Sequence, residues 1–276
     1  MIKLACFKLV ILLALFSSTC NEVKTPEKKR GVVAIVYVDL TGSINKDTAD
    51  RVKRNIVELF QKLPTDSKFY LYSIDRGTSK PDIYNFVPTF TKIQTASDED
   101  KVKAEAVECE KQKQTTELEK LTASLDSYHN SIAPQTGAVS CLTNKLNSLV
   151  DIVKNKSKSF PNYDLRVYFY SDMIEECDTS FDGKPLDFKK SLKNGSEEKH
   201  IQEIEERVEK NFTFNTPQNL KAMGATIYVI LTSQDDKQNL NTLKNIWGDF
   251  FAKLGFTLDD VFWDLGNDDS FWKLEQ

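Results

Sequence analysis

From Gly31 the chain reads GVVAIVYVDL, a nearly continuous apolar and β-branched run, and this run constrains the fold more than any other segment. A strand with one wet face alternates apolar and polar residues. A strand without that alternation is buried on both faces, as in a parallel sheet covered by helices. A first strand is therefore expected over residues 32–39. Next, Ala49, Val52, Ile56, Leu59, Phe60 and Leu63 recur at helical spacing until Pro64 ends the pattern. The segment KFYLYSI at 68–74 reads as a second strand and residues 83–90 as a third, joined through Gly77 and Pro81 as an antiparallel edge hairpin.

The same unit then repeats. Val139, Leu142, Leu146, Leu149, Val150 and Val153 mark a helix, and LRVYFY at 165–170 marks a buried strand. Ile201, Ile204, Val208 and Phe212 form a helix stripe, and ATIYVILT at 225–232 forms another strand. Leu240, Leu243, Ile246, Trp247, Phe250, Phe251 and Leu254 make the last long helix, with residues 261–265 available to close the sheet. Parallel strands need helical crossovers, so the expected class is α/β: a doubly wound, mostly parallel six-stranded sheet flanked by helices. Residues 97–130 break the rhythm. They are highly charged, lack Gly and Pro, and carry only narrow stripes, Val102, Ala106 and Cys109, then Leu118, Leu121 and Leu125. A helical insertion is expected there, lying against the domain by one edge or projecting as a hairpin.

The amino terminus reads as an address. Lys3 and Lys8 precede an apolar stretch at 9–16 that is too short to span a bilayer but suits the core of a secretory signal. Ser17, Ser18 and Thr19 then lead directly to Cys20. This arrangement resembles a bacterial lipoprotein signal, which implies acylation of Cys20 and a lipid anchor in the cell envelope. Ser17 and Thr19 stand where that signal prefers Leu and Gly or Ala, and ordinary signal-peptidase cleavage is the alternative. The organisation expected is a signal peptide at 1–19, a polar tether at 20–30 and one domain at 31–276.

Lys+Arg 37 against Asp+Glu 41 gives a net charge of −4, which removes the basic field of a nucleic-acid binder. Of five cysteines, Cys6 belongs to the signal and Cys20 to the anchor. Cys109, Cys141 and Cys177 remain, an odd number that allows at most one bridge within the chain. Cys141 and Cys177 fall on elements near one sheet edge and are the candidate pair. Neither His129 nor His200 sits at metal-ligand spacing; both read as solvated helix surface.

In an open α/β sheet the productive crevice lies at the carboxyl ends of the strands where the winding reverses. The first strand ends in Asp39-Leu40-Thr41-Gly42-Ser43, placing a carboxylate and two hydroxyls on one turn ahead of a helix. Such hard oxygen donors suit Mg²⁺, with Mn²⁺ or Ca²⁺ as alternatives. At these residues the chain resembles the von Willebrand factor type A domain, whose metal-ion-dependent adhesion site begins Asp-x-Ser-x-Ser. The resemblance implies a type A or Rossmann-like fold over about 31–266. It also implies a Thr before the central helix, for which Thr136 is the candidate and Ser140 a rival, and an Asp at the end of the fourth strand, for which Asp172 is placed.

The implied ligand set is Asp39, Thr41, Ser43, Thr136 and Asp172. The implied activity is binding, in which a protein or peptide partner offers a carboxylate to the ion. A scaffold with a decayed metal site, acting through the charged insertion, is the second reading. A metal-dependent phosphohydrolase is the third, and Thr41 stands where haloacid dehalogenase-type enzymes place their second Asp. With no Gly-x-Ser-x-Gly, no phosphate-binding loop and no nucleophile near either histidine, an enzyme is not expected.

Overall fold

The computed structural model describes residues 31–41, 44–64, 66–75, 83–86, 99–132, 140–189, 197–211, 219–232 and 240–264. Strand β1 (Gly31–Val38) is buried along its whole length, as its unbroken apolar sequence requires. Helix α1 (Lys46–Lys62) follows. Its first turn is capped by Asn45, whose side chain accepts from the Thr48 N–H, and Leu63, held extended before Pro64, ends it. Then come β2 (Lys68–Ser73), β3 (Tyr84–Phe86), α2 (Glu99–Ile132), α3 (Leu142–Ser159) and β4 (Tyr163–Ser171). A two-stranded ribbon, β5 (Glu176–Cys177) with β6 (Leu186–Asp187), precedes α4 (Glu197–Asn211), β7 (Ala225–Leu231), α5 (Leu240–Lys253), a 3₁₀ turn and β8 (Val261–Asp264).

The main sheet has the order β3-β2-β1-β4-β7-β8. Only β3 runs antiparallel; β1 pairs in parallel with β2 and β4, β4 with β7, and β7 with β8. It is a doubly wound, mostly parallel six-stranded sheet, Rossmann-like in form. Alternate residues of β1 feed two separate cores. Val32, Ala34, Val36 and Val38 pack with Ala49, Val52, Ile56 and Leu59 of α1 and with Leu121 and Leu125 of α2. Val33, Ile35 and Tyr37 pack on the other face with α3, α4 and α5, where Trp247, Phe250 and Phe251 are fully buried. Full burial of side chains this large contributes about 2 to 3 kcal/mol each, which is why α5 can tolerate few polar residues on that stripe.

The insertion is one continuous helix, not a hairpin, since its sequence contains no Gly or Pro to turn it. It lies along α1 by one edge: Leu121, Leu125, Tyr128 and Ile132 are buried, and Lys53 of α1 bonds Asp126 at 2.8 Å. His129 departs from a solvated reading, because it is half-buried and its Nδ1 is enclosed without a partner. Among the described residues no helix is long and apolar enough to cross a membrane. The signal and tether, with Cys20, lie outside the described residues.

Candidate functional site

The winding direction reverses between β1 and β4, and the residues that follow these two strands meet. The ladder ends with Val38 opposite Tyr170, and the Asp39 N–H donates to the Tyr170 carbonyl at 2.8 Å. One residue further along each strand, Asp39 and Ser171 face each other. Asp39 is buried. Its Oδ1 accepts from the backbone N–H of Thr41 at 3.0 Å and from the Thr41 hydroxyl at 2.6 Å. Its Oδ2 accepts from Ser140 Oγ at 2.6 Å and Ser171 Oγ at 3.5 Å. The Thr41 and Ser140 hydroxyls lie 3.1 Å apart.

No lysine or arginine pairs with Asp39 among the described residues. Burial pushes its carboxyl above the ordinary aspartate value, and the hydrogen bonds from Ser140, Thr41 and Ser171 oppose that shift only in part. A buried carboxylate held only by neutral donors, three hydroxyls and one backbone N–H, has no opposite charge beside it. A cation would supply that charge, and hydroxyls with carboxylates are the donors that a hard divalent ion takes. The donors the structure brings together, the Asp39 carboxylate with the Thr41 and Ser140 hydroxyls, are of the kind that Mg²⁺ takes.

Asp172 follows β4 directly and is partly buried, with its Oδ1 accepting from the Ile174 N–H at 3.0 Å. Between them Met173 adopts a left-handed backbone, φ 59°, uncommon for a bulky residue and a mark of a constrained turn. Two bonds hold that turn: the Met173 N–H donates to Ser171 Oγ at 3.0 Å, and Trp247 Nε1 donates to the Met173 carbonyl at 2.8 Å. Ser43 and Thr136 lie outside the described residues.

Cys141 and Cys177 are joined by a disulfide. It ties the residue before α3 to β5, immediately beside Ser140, whose carbonyl accepts from the Glu176 N–H at 3.0 Å. Glu175 lies against the bridge, its carboxylate oxygen and the two sulfurs all within 4.8 Å of one another. With both sulfurs in the bridge, this group has no thiolate to offer a metal.

Three further acidic or hydroxyl residues belong to this edge and escaped the sequence reading. Ser171 carries no motif signal. Asp75 stands two residues after β2, accepts from Ser73 Oγ at 2.9 Å and pairs with the buried Lys145 of α3 at 3.4 Å. Glu175 receives both the N–H and the hydroxyl of Thr143. The signal that could have found Asp75 and Ser171 is position alone, since each stands at the carboxyl end of a strand.

No known family's sequence profile matches the chain, and no curated protein matches it. Among solved structures it is similar to the human COPII-coat protein Sec24c, with 10% identity and a TM-score of 0.36. That match covers 80% of this chain, which spans 28% of the Sec24c chain.

Proposed function

We propose that this protein is a von Willebrand factor type A-like binding module, anchored at the bacterial cell envelope through Cys20. It would engage a protein or peptide ligand through a divalent cation at the carboxyl edge of its sheet. The observation that carries this reading is Asp39: a buried carboxylate at the switch point, ringed by hydroxyls, without a basic partner. Asp172 at the next strand end supplies a second carboxylate, as the resemblance implies.

Bound there, the ion would supply an electrophilic position whose water a partner carboxylate can replace. The chain's own part is to orient the donors. Thr41 and Ser140 are fixed against Asp39, and the Met173 turn fixes Asp172. Nothing in this reading requires turnover, and a phosphatase screen with Mg²⁺ is expected to give no activity.

Calorimetry tests the cation. Heat on Mg²⁺ or Mn²⁺ addition to the wild type, lost in Asp39→Ala, is expected; no heat in the wild type would refute it. A pull-down with and without chelator separates this reading from a scaffold acting through α2, since only scaffold binding survives chelation. Fatty-acid labelling of the wild type, absent in Cys20→Ala, tests the anchor.

A further inference from the structure

Arg51, in the second turn of α1, reaches across the sheet edge. Its Nη2 donates at 2.7 Å to the carbonyl of Thr232, the residue that follows β7. The guanidinium is half-buried, and no carboxylate pairs with it among the described residues. A guanidinium offers five donors, and one carbonyl leaves most of them without an acceptor. Thr232 adds an independent observation. It is 2% exposed, and its hydroxyl is buried without a hydrogen-bond partner. Such groups are rare in folded proteins, and each calls for a partner such as a water, an ion or a ligand group.

This locus is continuous with the cation centre. The Thr232 N–H donates to the Ser171 carbonyl at 3.3 Å, and Ser171 Oγ donates to Asp39. From β1 across β4 to β7 is two strand spacings, about 10 Å.

We propose that Arg51, held on the Thr232 carbonyl, is a second anion-reading position, and that the ligand is an acidic peptide bearing two carboxylates, one for the cation and one for the guanidinium. This rests on the binding-module reading and names its partner's chemistry. In an extended peptide, acids at i and i+2 share one face about 7 Å apart, and their side chains cover the remaining distance. Arginine suits the second role because its planar fork takes a carboxylate through two parallel bonds.

The test uses two peptides, acetyl-Gly-Glu-Gly-Glu-Gly-amide and the same peptide with its second Glu replaced by Gln, titrated into Mg²⁺-loaded protein by NMR. The two-Glu peptide is expected to bind about tenfold tighter, the size of one charge-assisted pair, and to shift the Arg51 Nε–H resonance. Arg51→Gln should abolish that ratio and Arg51→Lys should restore part of it. Thr232→Val should raise the melting temperature of the unliganded protein, by removing an unsatisfied hydroxyl, while lowering the ratio. Equal binding of the two peptides by the wild type, a ratio that survives Arg51→Gln, or inorganic phosphate binding at Arg51 tighter than the two-Glu peptide would overturn the proposal. Mg²⁺ heat with no peptide discrimination sinks this inference alone. Arg51-dependent discrimination without Mg²⁺ heat sinks the cation reading and the first carboxylate's role with it, leaving only the Arg51 position.

Discussion

Glu175 caps α3 from outside the helix: its buried carboxyl receives the Thr143 N–H at 3.1 Å and the Thr143 hydroxyl at 2.7 Å. The residue in the ordinary capping position, Cys141, makes no side-chain cap bond because its sulfur is in the disulfide. Cap and bridge thus come from the same short segment after β4, and both hold the amino end of α3 under Asp39.

This cap gives the stability a pH dependence of known sign. Burial pushes the Glu175 carboxyl up to about 8, against the Thr143 bonds that lower it. The folded protein therefore keeps a proton that the unfolded chain releases near pH 4.5. Stability is greatest below that pH and falls as pH rises towards 8, by on the order of a few kcal/mol. Melting temperatures measured from pH 4.5 to 9 without divalent cation should decline, and Glu175→Gln should flatten the decline. A wild-type profile that rises over this window would contradict the assignment.

Removing the bridge should cost about 3 to 4 kcal/mol, the chain-entropy value for a loop closed across 36 residues. Urea unfolding of Cys177→Ser, or of reduced wild type, measures it. Because Cys141 adjoins Ser140, the same change is expected to weaken Mg²⁺ binding more than it perturbs the far-ultraviolet circular dichroism.

Asp39→Asn has opposite effects with and without cation. Without it, the amide spares the protein a buried carboxylate that burial disfavours, so the melting temperature should hold or rise by the equivalent of about 1 kcal/mol. With Mg²⁺, the wild type should gain stability and the variant should not. Differential scanning calorimetry at several Mg²⁺ concentrations reads both.

Arg207 of α4 grips Asp182 with two bonds, at 2.9 and 2.8 Å, and reaches Ser180 at 3.2 Å. The guanidinium holds the Asp182 carboxyl down at about 2. This contribution is present above the unfolded value near 3.8 and is lost as pH falls towards 2, the reverse of the Glu175 case. Arg207→Ala should speed amide exchange at residues 180–184 and cost about 2 kcal/mol, because Asp182 is left enclosed without its partner.

The sheet was legible because burial on both faces leaves a mark: β1 and β7 read as near-continuous apolar runs, β4 as one interrupted at Arg166, and each has a helix of amphipathic spacing after it. The ribbon β5–β6 was not legible, since two residues per strand carry no period. Asp39 and Thr41 were readable as strand-end residues next to a turn signal, and Asp172 only through the resemblance to the type A domain. Ser140 appeared only as a rival to Thr136, because a serine ahead of a helix is an ordinary cap and only the fold shows that it points at Asp39. Glu175 was illegible for a different reason: its role depends on Thr143, 32 positions away, and no local pattern records that pairing.

The polarity of β1 also fixes how the domain is presented. The strand enters at Gly31 and delivers Asp39 at the opposite pole of the sheet, about 26 Å away for eight residues. The chain before Gly31 therefore joins the domain at its base, the pole farthest from Asp39.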